Sequence, residues 1–173
     1  MDKIPQKECP FCSGRRISAY NSALSVFKCA SCGLLFRDIS LNDSIGINKN
    51  AWADLSHHKN ETGATDLRLS RIYAKNLIRS LGLKSIKGLK ILDFGAGRGD
   101  MLAAFSELGA DVYGVEPFGY EYLDTRGFKV FREIGDIPKG LLFDGIIAND
   151  VIEHTFYPWE MIEKLYGLLS VSG

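Results

Sequence analysis

The chain has 173 residues, 46% hydrophobic and 24% charged, the balance of a globular protein with one ordinary domain and a small appendage. Lys plus Arg and Asp plus Glu stand at 21 each, so no net field draws it to nucleic acid or an acidic membrane surface. No run of 18 apolar residues occurs, which excludes a membrane-spanning helix, and Met1-Asp2-Lys3-Ile4-Pro5 lacks the apolar core of a signal peptide. A cytoplasmic location is the expectation. In that reducing compartment four cysteines point to metal ligation before disulfides.

Residues 1–37 carry Cys9-Pro10-Phe11-Cys12 and Cys29-Ala30-Ser31-Cys32, two Cys-x-x-Cys knuckles separated by sixteen residues. That spacing is the pattern of a zinc ribbon. Four thiolates close a tetrahedral shell, so Zn²⁺ held by Cys9, Cys12, Cys29 and Cys32 would be structural and not catalytic. So short a unit buries too little apolar surface to fold alone and would draw on the metal. Alternation through Leu24-Ser25-Val26-Phe27-Lys28 predicts small strands. The unit carries six basic and two acidic side chains, and zinc with four thiolates lowers its formal +4 to about +2, too little to track phosphates. Residues 38–64 are polar and read as a linker, in which His57 and His58 are solvated and Trp52 is a candidate cover for a pocket.

The pattern changes at Thr65. Leu69, Ile72, Tyr73, Leu77, Ile78 and Leu81 recur at spacings of three and four, which predicts an amphipathic helix capped by Thr65 or Asp66 and stopped at Gly82. Residues 90–93 then read as a buried strand, followed by a glycine-rich turn and a helix over 101–108 that Gly109 ends. A strand at 112–116, a helix over 120–125 ending at Gly127, and strands at 128–131 and 143–148 follow. A last helix opens at Pro158 and runs through Leu169. Strands alternating with helices imply a parallel sheet with right-handed crossovers, whose ligands lie beyond the strands' carboxyl ends.

The turn after the first of these strands is Asp93-Phe94-Gly95-Ala96-Gly97-Arg98-Gly99-Asp100. A dinucleotide fingerprint would need its third glycine at position 100, which is Asp, and a carboxylate at a helix N-terminus repels pyrophosphate. No Gly-Lys-Ser/Thr follows, so a phosphate loop is excluded as well. Glu116 ends the second strand, 21 residues after Gly95, where an acid can accept ribose hydroxyls.

The form Asp-x-Gly-x-Gly-x-Gly resembles motif I of class I S-adenosylmethionine (SAM)-dependent methyltransferases. Residues 143–150 resemble their motif II with the fourth strand, and Val151-Ile152-Glu153-His154 resembles the Glu-His step of many small-molecule members. The resemblance covers about residues 65–173 and implies a Rossmann-like α/β sheet, here a partial one of four parallel strands ordered 3-2-1-4, behind the ribbon. It implies that Asp93, Gly95, Ala96 and Gly97 line the methionine end of SAM, and that Glu116, beside Pro117 and Phe118, holds the ribose. It also implies that Asp136 and Ile137 lie near the adenine and that Asn149 and Asp150 flank the methionine. A ribbon ahead of such a domain is similar to a bacterial set of small-molecule methyltransferases that often modify sugars. The acceptor would then be a small molecule such as a nucleotide sugar.

His154 is the candidate catalytic base, an imidazole able to take a proton from an acceptor hydroxyl, or else a residue that orders its loop. Family domains continue into three further strands, whereas this chain stops after Leu168-Leu169-Ser170-Val171-Ser172-Gly173. Strand 143–148 would then form an apolar edge open to self-association or a partner. The alternatives left open are a truncated, inactive SAM- or partner-binding domain, a nicotinamide-dependent oxidoreductase, and a nucleic-acid-binding ribbon.

Overall fold

A single residue type sets the first unit. The computed structural model describes residues 8–37, 43, 45–47, 49–50, 67–155 and 157–171. In it the two cysteine knuckles adopt the same turn: the Ser13 amide donates to the Cys9 carbonyl and the Gly33 amide to the Cys29 carbonyl, each at 2.9 Å. Ser13 and Gly33 both take positive φ, 55° and 81°, which lets the chain reverse under the sulfurs. Strands β1 (Ile17–Asn21), β2 (Val26–Cys29) and β3 (Leu35–Arg37) pair antiparallel in that order. The stretch 24–28 is not one strand. Asn21 accepts from the Leu24 amide and caps a 3₁₀ turn, and Ser25 turns left-handed before β2 begins.

The described residues pack as two compact units, one joining Met1–Ala51 with Ile152–Lys164 and the other Trp52–Val151 with Leu165–Gly173. Within the polar stretch read as a linker, residues 43, 45–47 and 49–50 are helical; His57, His58, Trp52, Thr65 and Asp66 lie outside the described residues.

The second unit is the α/β domain. Helix α1 (Arg68–Ser80) buries Ala74 and ends as expected, with Gly82 left-handed and the Leu83 amide returning to Ile78. Strands β4 (Lys90–Phe94), β5 (Asp111–Val115), β6 (Lys129–Phe131) and β7 (Gly145–Ile147) form one parallel sheet ordered β6-β5-β4-β7. This is the 3-2-1-4 order that the family resemblance implies. Helices α2 (Asp100–Glu107) and α3 (Tyr120–Thr125) follow β4 and β5. Ile91, Ala104, Phe105, Ala110 and Ala74 form one buried cluster, and Ala96, Leu102 and Leu123 a second. Burying the larger of these side chains, Ile91, Phe105, Leu102 and Leu123, contributes roughly 1.5–3 kcal/mol each.

Two sequence expectations change near the end of the chain. Helix α4 (Pro158–Tyr166) stops short of Leu169. Leu169 instead bridges Phe143 in parallel register, with the Phe143 amide donating to Leu168 and the Ser170 amide to Phe143. The Phe143 end of the fourth strand is therefore paired, and Phe143 is fully buried.

Candidate functional site

The glycine loop is shaped by contacts on both sides. The Gly95 and Ala96 amides donate to the Val115 carbonyl at 2.8 and 3.1 Å, folding the loop over the end of β5. Gly95 takes φ 78°, and a Cβ there would lie 2.0 Å from Val151 Cγ2. The segment that follows β7 is thus pressed directly on the first glycine.

Glu116 is the polar centre. It is buried, yet its carboxylate accepts three backbone amides: Gly97 at 2.9 Å on Oε2, and Phe118 and Gly119 at 2.9 and 3.2 Å on Oε1. These bonds offset the cost of taking a carboxylate out of water and tie the end of β5 to the glycine loop. Asp93, at the end of β4, is buried beside it. Burial, reinforced by the charge of Glu116, pushes the Asp93 carboxyl up to about 7. Two acids therefore sit in one desolvated place, and none of the ion pairs among the described residues involves either. Asp100 opens α2 with its Oδ1 buried and without a hydrogen-bond partner among the described residues. A pyrophosphate would find no welcome there.

The other sequence-derived residues fall as follows. Ala96 is buried beneath the loop, and Pro117 is exposed where the chain leaves β5. Asp136 Oδ2 accepts from the Glu133 amide, so its carboxylate caps its own 3₁₀ turn, while Ile137 is buried. Asn149 and Asp150 are exposed beyond β7, with Asp150 left-handed at φ 52°. His154 is exposed on the 3₁₀ turn Ile152–His154, which belongs to the unit of the cysteines. Sequence reasoning missed Tyr73, whose hydroxyl donates to Asn149 Oδ1 at 2.9 Å. It was counted as one position of an apolar helical stripe, and only the tertiary fold shows its polar end.

The four Sγ atoms lie within 4.8 Å of one another, with Cys9 to Cys32 at 3.7 Å and Cys12 to Cys29 at 3.6 Å. A tetrahedral thiolate shell with metal–sulfur bonds of about 2.3 Å has edges of about 3.8 Å, so the donor set fits zinc. The backbone amide of Cys32, followed by that of Ser31, lowers the Cys29 thiol to about 6. Cys12 feels the Gly14 backbone pulling down, but the thiols around it and desolvation carry it up to about 12. Phe11, inside the first knuckle, meets Trp159 of α4 edge-on at 5.6 Å.

A methyltransferase-domain family model matches residues 65–173. The chain belongs to this methyltransferase-domain family. Among curated proteins, the mitochondrial ubiquinone biosynthesis O-methyltransferase of Bos taurus is 29% identical over 126 residues, 62% of this chain and 34% of that protein. The ubiquinone biosynthesis O-methyltransferase of Azorhizobium caulinodans is 32% identical over 93 residues, 45% of this chain and 37% of its own. The chain thus spans about a third of the length of these relatives. Among solved structures, the 1,6-didemethyltoxoflavin-N1-methyltransferase of Burkholderia thailandensis superposes with a TM-score of 0.54 at 18% identity, covering 88% of this chain and 68% of that one. The magnesium protoporphyrin IX methyltransferase of Synechocystis PCC 6803, solved with bound S-adenosylhomocysteine, gives 0.52 at 18% identity, covering 74% and 69%. The methyltransferase domain therefore carries the class I fold.

Two stability measurements probe this site. Gly95→Ala combines a left-handed backbone with the Val151 contact and is expected to cost about 2–5 kcal/mol in denaturant unfolding. The folded interior favours neutral Asp93, so its contribution is complete below the ordinary carboxyl range and is lost as pH rises towards and through about 7. Asp93→Asn should accordingly lose less stability than the parent between pH 5 and pH 8. Equal losses in the two proteins would show that Asp93 is not the buried acid described.

Proposed function

We propose that the domain binds SAM over the carboxyl ends of β4 and β5 and directs methyl transfer to a hydroxyl, amine or carbon of a small molecule such as a nucleotide sugar. The observation that carries this reading is the desolvated pair of acids, Asp93 and Glu116, beside the glycine loop, neither of them in an ion pair among the described residues. SAM supplies an activated methyl group on a cationic sulfonium, together with an ammonium, and carries no phosphate for Asp100 to repel. Glu116 would hold the ribose through the one carboxylate lone pair, on Oε2, that the three amides leave. Asp93 would favour the cationic end, and Ala96 and Gly97 would line it. Asp136 and Ile137 are assigned to the adenine side.

In-line displacement needs the acceptor held at the correct distance and angle, and such positioning supplies much of the rate. Where the acceptor is a hydroxyl, His154 would take its proton as the new carbon–oxygen bond forms and the carbon–sulfur bond breaks. We also assign Zn²⁺ to Cys9, Cys12, Cys29 and Cys32, where it would hold the two knuckles together and take no part in chemistry.

Calorimetry on zinc-loaded protein tests the cofactor. SAM should bind the parent, bind at least tenfold more weakly to Glu116→Ala, and bind more tightly at pH 8 than at pH 6 as Asp93 ionises. Absence of binding to the parent, or an unaffected Glu116→Ala variant, would defeat the reading.

Metal analysis tests the ribbon. One zinc per chain is expected, and its removal by a strong chelator should shift Trp159 emission in a Trp52→Phe background, because Phe11 between two ligands packs on Trp159. Metal-free protein with unchanged emission after chelator treatment would overturn the assignment.

A further inference from the structure

The polar contact between α1 and the segment after β7 is assigned by none of the motifs. Tyr73 lies on α1, about half exposed, and its hydroxyl reaches Asn149 Oδ1 at 2.9 Å across 76 residues of sequence. Asn149 Nδ2 in turn donates to Asp150 Oδ2 at 2.8 Å. The direction of this chain follows from the chemistry of its members. An ionised Asp only accepts, so the amide nitrogen must face Asp150, the amide oxygen must face Tyr73, and the phenol must donate. The asparagine amide is thereby held in one of its two orientations.

The cluster is fixed to the glycine loop through its own backbone. Asp150 is held left-handed at φ 52°, and the next residue, Val151, is packed against Gly95. Asp tolerates this conformation better than most side chains, and the contact of Val151 with Gly95 fixes the residue that follows it. With its proton directed to Asn149, the phenol oxygen offers a lone pair. The second Nδ2 hydrogen of Asn149 offers a donor, and Asp150 brings a negative charge. An acceptor, a donor and a charge, side by side at the methionine end of the loop, complement an α-amino acid with its ammonium and carboxylate.

We propose that Tyr73 is a positioning residue of the cofactor site, orienting Asn149 so that Tyr73, Asn149 and Asp150 together receive the zwitterionic amino-acid end of SAM. The proposal rests on the SAM reading above and extends it to a residue of α1. It makes that helix part of the cofactor site and not only a cover for the sheet.

S-adenosylhomocysteine and 5′-methylthioadenosine share an adenosyl thioether, and the second lacks the amino acid. Calorimetry of both ligands against the full chain and Tyr73→Phe separates the cofactor reading from the role of Tyr73. Tyr73→Phe should bind S-adenosylhomocysteine about three- to tenfold more weakly, the effect of one lost hydrogen bond, with 5′-methylthioadenosine unchanged. Asn149→Leu, which removes the middle of the cluster, should show the same split. Equal affinity of parent and Tyr73→Phe for both ligands, or equal weakening of both, would overturn the role of Tyr73 and leave the cofactor reading standing. A parent chain that binds neither ligand would overturn both together.

Discussion

The domain depends on how one buried carboxylate is satisfied. Glu116 sits at the end of β5 with its two oxygens taking amides from Gly97, Phe118 and Gly119. Without these bonds a carboxylate in that position would be costly enough to unseat the turn or lose its charge. With them, the glycine loop, the end of β5 and the start of α3 are tied at one point. The same arrangement leaves Asp93 beside an anion in a place from which water is excluded, and its neutral form gains accordingly. A site with two buried acids, neither in an ion pair among the described residues, has an electrostatic preference of its own. It gains most when a positive charge arrives from outside.

The cysteine unit solves a different problem. Its sheet is thin: along β1 only Ile17 is even partly buried, and among the described residues before α1 the buried side chains are Cys9 and Cys29. Two identical turns present four sulfurs to one another, and a metal bridging them would replace the core that the unit lacks. The same unit includes Ile152–Lys164, with Phe11 against Trp159.

Features governed by local pattern were legible in the sequence. The helix over residues 120–125 matches α3, the parallel pairing of the strands follows from alternation, and Gly82, Gly109 and Gly127 all turn left-handed where helices end. Boundaries decided by distant partners were not legible. Leu169 reads as helical by spacing, but the Leu168 carbonyl and the Ser170 amide on either side of it pair with Phe143, while its own amide closes a turn on Tyr166. Leu24 reads as strand by alternation, but the Asn21 side chain takes its amide and starts a 3₁₀ turn. In the site, Asp93, Gly95 and Glu116 could be found because the loop and the strand end place them at set spacings. Tyr73 could not, since its role depends on a contact 76 residues away and its helical position is shared with apolar neighbours.

The three glycines of the loop also have different causes. Gly95 is required by Val151, and a Cβ at Gly99 would lie 2.7 Å from Leu123 Cδ2, so both are explained by the packing of the chain on itself. Gly97 has no such neighbour. A Cβ there would meet nothing within 4 Å among the described residues, and its amide already serves Glu116. Its φ of 52° is one that Asn or Asp also tolerates, so backbone freedom alone does not demand glycine. A side chain at Gly97 would enter space that no described residue occupies. Of the three, the middle glycine alone is not explained by the packing of the described residues on the loop, and it is the one whose amide Glu116 holds.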